Sequence, residues 1–127
     1  MLKSIEVQTT VLKEIFESNK IEKCDLMKID IEGGEYPLLY DLEESIFSKI
    51  KLIAMECHKL DEKQNNPKKL IDFLQKKGFE IKKKRKSFGM LLILAENTNR
   101  LCRIPVRKHR NNAFILSKPL TVMISKL

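Results

Sequence analysis

Between Lys28 and Glu35 the chain reads Lys-Ile-Asp-Ile-Glu-Gly-Gly-Glu, so charged and apolar residues alternate and then stop at two glycines. Alternation with period two marks a strand. Asp25 to Ile31 is therefore expected as a strand that Gly33-Gly34 ends. The alternation sends Lys28, Asp30 and Glu32 to one face and Met27, Ile29 and Ile31 to the other. Breaking a buried ion pair costs about 3–5 kcal/mol, so charges placed on such a strand call for partners. Ile50 to Cys57 can supply them. Its nearly continuous apolar run fits a strand covered on both faces in a parallel sheet, and Ala54, Glu56 and His58 share one of its faces.

The remaining elements follow from local chemistry. Ile5 to Gln8 suits a short strand, and Thr9 or Thr10 suits the cap of a helix whose apolar face is Leu12, Ile15 and Phe16. A second helix is expected from Gly34 to Ser48, with Pro37 tolerated in its first turn. Asn66-Pro67 is a helix start with Asn as cap, and Gly78 is a left-handed stop. Phe79 to Arg85 and Met90 to Ala95 then form a hairpin around Ser87-Phe88-Gly89. This order implies an α/β fold, mostly parallel, closed by a C-terminal antiparallel hairpin. Residues 1–96 form the expected domain. Residues 97–127 form a basic tail in which Leu101 to Val106 and Ala113 to Leu116 suit short strands.

With 127 residues, 43% of them hydrophobic, the chain is sized for one small domain with a core. No run approaches the ~20 apolar residues that span a bilayer. The first residues show no apolar signal core, so a cytoplasmic location is expected. Cys24, Cys57 and Cys102 are read as reduced thiols, and no Cys-x-x-Cys supports zinc. Charge is uneven: residues 1–60 carry 8 Lys/Arg against 12 Asp/Glu, and residues 61–127 carry 17 against 5. Lys82-Lys83-Lys84-Arg85-Lys86 concentrates it. The run can contact phosphates, but without interleaved aromatics other than Phe88 it reads better as a charged edge that resists mispairing. His109, among the tail's arginines, receives no role.

If the two strands are neighbours, Asp30, Glu32, Glu56 and His58 gather at their carboxyl ends, where open parallel sheets bind ligands. Gly33-Gly34 permits close backbone approach, and the helix start behind it offers N–H groups to an anion. An internal salt-bridge network around a tight turn explains the same residues equally well.

The stretch Asp25-Leu26-Met27-Lys28-Ile29-Asp30-Ile31-Glu32-Gly33-Gly34-Glu35-Tyr36 resembles the signature of the FkbM methyltransferase family: a hydrophobic strand, then Lys-hydrophobic-Asp-hydrophobic-Glu-Gly-small-Glu. Ile53-Ala54-Met55-Glu56-Cys57-His58 resembles that family's next strand, Leu70 to Phe79 its following helix, and Thr9-Thr10-Val11-Leu12 the segment ahead of the signature. The similarity runs from about residue 5 to 96. It implies a partial class I, Rossmann-like methyltransferase fold whose strands are the fourth to the seventh of seven. It also implies S-adenosylmethionine as cofactor and a hydroxyl of a small molecule or glycan as methyl acceptor. The family's Gly-rich cofactor loop has no counterpart among Gly33, Gly34, Gly78 and Gly89, so the chain is expected to be inactive alone. The fourth strand is then left with a bare edge, open to a missing N-terminal half or to self-association.

Within this resemblance His58 is the candidate base, with Glu56 or Lys28 as its partner. Asp30 is placed in catalysis and, with Gly33, at the cofactor; Glu32 and Glu35 are placed at the substrate. Two carboxylates and an imidazole also permit a divalent metal, although the spacing is not diagnostic. Neither a membrane nor nucleic acid is the expected partner. The competing reading is a non-catalytic basic module that binds nucleic acid or another anionic partner.

Overall fold

A computed structural model describes residues 10–99 and, in the tail, the backbone of strands 112–115 and 121–126. The elements are α1 (Leu12–Ser18), β1 (Cys24–Asp30), α2 (Glu35–Tyr40), α3 (Glu44–Phe47), β2 (Ile50–His58), α4 (Pro67–Lys76), β3 (Phe79–Ser87), β4 (Met90–Asn97), β5 (Asn112–Ile115) and β6 (Thr121–Lys126). The fold is mixed α/β. The expected strand at Ile5 to Gln8, the one at Leu101 to Val106, Cys102 and His109 lie outside the described residues.

The strands form one sheet in the order β3-β4-β2-β1-β6-β5. Its central pair, β1 and β2, is parallel, with Lys28 beside Ala54. The mostly parallel sheet expected from the sequence is not what forms. β4 runs antiparallel to both β2 and β3, and β6 runs antiparallel to both β1 and β5. A parallel neighbour needs a long crossover, whereas tight turns and returning strands give antiparallel pairs. The expected bare edge on β1 is also corrected, because β6 pairs along it from Leu26 to Asp30.

One face of the sheet is packed. Met27, Ile29, Ile53, Met55, Cys57, Ile93 and Ala95 point into a core shared with Phe16, Tyr36, Leu39, Phe47, Leu70 and Leu74 of the helices. The alternate residues Leu26, Leu52, Ala54, Leu92 and Leu94 are only half-buried, and Lys28 is exposed. The charges read from the alternation thus sit on a water-accessible face. They escape the full cost of burial, so they need no tight partners.

Local signals explain most element ends. The Asn66 side chain accepts from Lys69 N–H at 3.1 Å, with Pro67 following. Gly78 and Gly89 hold left-handed φ of 89° and 79°. A Cβ on Gly78 would lie 2.5 Å from the Asn99 side chain. The cap of α1 departs from expectation: Val11 occupies it, while Thr10 bonds Glu14 at 2.7 Å. The expected helix from Gly34 to Ser48 is broken into α2 and α3. Glu43 is extended at the break, and its carboxylate reaches Lys13 of α1 at 2.9 Å.

Candidate functional site

The carboxyl ends of β1 and β2 lie side by side, so the turn after β1 meets the last residue of β2. That turn is tight. Glu32 takes φ 50° and Gly33 φ 99°, values that suit Gly and cost a side-chain-bearing residue. Glu35 then folds back beneath the turn. Its carboxylate is fully buried and accepts the Gly33 N–H at 2.8 Å through Oε2 and the His58 N–H at 2.8 Å through Oε1. The buried Tyr36 hydroxyl donates to the His58 carbonyl. Burial, first of all, pushes the Tyr36 phenol above its ordinary range, so it remains a donor at neutral pH.

The His58 ring is held between two carboxylates. Nδ1 lies 3.4 Å from Glu35 Oε1, and Nε2 lies 4.0 Å from Glu32 Oε2. Glu35 is wholly enclosed, whereas the Glu32 side chain is 70% exposed. One side of the imidazole is therefore anchored in protein while the other faces an open rim.

The remaining expected residues are placed by strand register. Asp30 ends β1, half-buried, on the same face as Lys28. Lys28 and Glu56 line a cavity of about 360 Å³ on the open face, together with Ala54, Arg85, Leu92 and Leu94. The structure thus separates Glu56 from the role of partner to the His58 ring, which Glu35 takes instead. Glu35 is turned inward rather than toward a substrate because two backbone N–H groups converge on it. The Gly33 and Gly34 N–H groups are used within the chain: Gly33 bonds Glu35, and Gly34 donates to the Ile31 carbonyl at 3.0 Å. Among the described residues no group of three or more His, Cys, Asp or Glu is arranged to hold a metal.

The sequence did not single out Glu35 as the anchor of His58. The available signal was the Gly-Gly step before it, which lets a Glu carboxylate reach back over its own turn. Leu60 was missed as well. Its side chain lies 3.1 Å from where a Cβ on Gly33 would stand.

Residues 2–81, more than half of the chain, match the family model of the FkbM methyltransferase domain. The matched span includes the β1 strand, the turn that follows it and His58. Comparison with curated proteins gave no match. Comparison with solved structures gave none either. The chain belongs to the FkbM methyltransferase domain family.

Proposed function

We propose that this chain is the C-terminal part of an O-directed, S-adenosylmethionine-dependent methyltransferase site, in which β1, β2, β3 and β4 serve as strands four to seven of a class I sheet. Membership of a methyltransferase family supports S-adenosylmethionine as the cofactor in general terms. The observation that carries the reading is the His58 ring anchored on buried Glu35 with its other nitrogen at the open rim. With Nδ1–H donated to Glu35, Nε2 is left bare. It can take the proton of an acceptor hydroxyl, as a general base must. Glu32 borders the place where that hydroxyl would arrive. Asp30 and Glu56, on the open face of the sheet, are assigned to contacts with the reacting molecules.

The residues present do not fit a whole cofactor. The turn at Gly33, placed at the cofactor by the resemblance, has its N–H groups bonded internally, and Leu60 fills the space over Gly33. The proposal includes a further segment, in this or another polypeptide, that carries the Gly-rich loop and displaces β6 or approaches from the open face. Titration calorimetry of S-adenosylmethionine into the 127-residue chain tests it. Binding weaker than roughly micromolar is expected, since half a site must offset several kcal/mol of lost ligand freedom. Tight stoichiometric binding would overturn the half-site reading. The alternative, a basic module for an anionic partner, is favoured by one observation: Lys83, Lys84, Arg85 and Lys86 are exposed and carry no ion pair among the described residues.

A further inference from the structure

The β3–β4 hairpin ends in Phe88, whose side chain is fully exposed. Phe88 takes φ 46° and Gly89 φ 79°, a two-residue turn in which Asn-Gly or Gly-Gly is the favoured pair. An aromatic residue in a left-handed conformation, with none of its surface packed, does nothing for the hairpin itself. Charge resistance to mispairing accounts for the lysines of β3 but not for Phe88.

Its surroundings are cationic. Lys82 is neutralised by Glu80 at 2.8 Å and Glu96 at 3.3 Å. Toward the tip, Lys83, Lys84, Arg85 and Lys86 have no such partner among the described residues. The hairpin extends past the start of α4, and a cleft of about 470 Å³ opens there, lined by Lys59, Pro67, Lys86, Phe88, Met90 and Leu91. An adjoining cleft of about 590 Å³ adds Lys68, Ile71 and Lys84, with Asp72 as its one carboxylate. The floor is apolar and the rim is positive.

We propose that the β3–β4 hairpin tip docks on an anionic lipid surface, with Phe88 inserted at the headgroup boundary and the lysines around it on lipid phosphates and carboxylates. The chemistry matches on both counts. A bilayer interface offers negative groups above an apolar layer, and basic residues near it are attracted within a Debye length. A convex tip with an outward aromatic meets a flat partner before a groove-bound one. No described helix is long and apolar enough to cross a membrane, but a surface contact needs none. This inference stands apart from the methyl-transfer reading and does not depend on it.

The test is co-sedimentation of the full chain with vesicles of phosphatidylcholine alone, or of phosphatidylcholine containing one quarter phosphatidylserine. Binding is expected only to the anionic vesicles and is expected to weaken as salt rises. Phe88→Ser should lower partitioning about tenfold. Phe88→Gly, which suits the turn and so keeps the hairpin folded, should do the same. Lys84→Gln and Lys86→Gln should each cost roughly fivefold, whereas Lys20→Gln, a control charge in the turn after α1, should cost little. Failure to bind anionic vesicles at low salt overturns the proposal. So does binding that is indifferent to both Phe88 variants, or equal losses from Lys20→Gln and Lys86→Gln. Binding to polyglutamate in place of vesicles would assign the patch to an acidic polymer and would also overturn it.

Discussion

Glu35 is a carboxylate without solvent exposure that serves three groups at once: two backbone N–H groups and an imidazole. Replacing it with Ala leaves the Gly33 and His58 N–H groups unpaired in the interior. Each such group costs about 1–3 kcal/mol, so Glu35→Ala should lower the urea midpoint markedly. Glu35→Gln keeps one acceptor oxygen where the Gly33 and His58 N–H groups use two, so it should destabilise the fold less than Glu35→Ala does, and it removes the charge facing His58. Long-range proton–nitrogen correlation spectra of His58 should show the Nδ1–H tautomer in the parent and a loss of that preference in Glu35→Gln. An Nε2–H tautomer in the parent would remove His58 as a base in this geometry. The sequence placed Glu35 beside the site but toward a substrate. Its inward turn depends on the end of β2, 23 residues on, and no local pattern records that approach.

Cys24 and Cys57 give a second test at the same scale. Burial raises both thiols to about 12, assisted at Cys24 by the Asp25 charge and at Cys57 by the Glu35 charge. The folded chain favours the neutral thiol. The resulting stability is fully present below the ordinary thiol value of about 8.5 and is lost as pH rises through it toward about 12. At pH 8 iodoacetamide should leave both thiols unmodified in the native protein and should label them in urea. Peptide mass mapping distinguishes the two.

At the scale of elements, what was legible was what local chemistry controls. Asn66-Pro67 announced α4, Gly78 its end, and Gly89 the hairpin turn. Asn66→Ala should cost about 1 kcal/mol through loss of the bond to Lys69 N–H, which thermal unfolding would register as a drop of a few degrees. The break between α2 and α3 was not legible. At the break Glu43 is extended and its carboxylate meets Lys13, 30 residues back, a contact no local pattern records. The buried Asn97 side chain belongs to the same class. It donates to the Phe47 and Ile50 carbonyls, each at 3.1 Å, and ties the end of β4 to the approach of β2.

For the whole molecule, the alternation in β1 and the apolar run in β2 were enough to pair them in parallel. They could not show that β6 would lie on the other side of β1, because that pairing is encoded in a distant segment. Truncation after Asn99 removes β5 and β6 and uncovers the β1 edge. An uncovered central strand offers a row of free N–H and C=O groups to another chain. The truncated chain should therefore associate in a concentration-dependent way under light scattering, to a greater degree than the full chain. Equal behaviour of the two would mean that β6 does not protect that edge.

The pairing of Asp30 with Thr121 also sets a timetable for synthesis. About ninety residues separate the two, and ribosomes add roughly 5–20 residues per second. β1 therefore emerges on the order of 5–20 seconds before the strand that covers it has been made. During that interval β2, α4 and the hairpin can assemble against one side of β1 while its other side waits. A nascent-chain holdase binding there would have a defined window that closes only once Thr121 to Lys126 has been made.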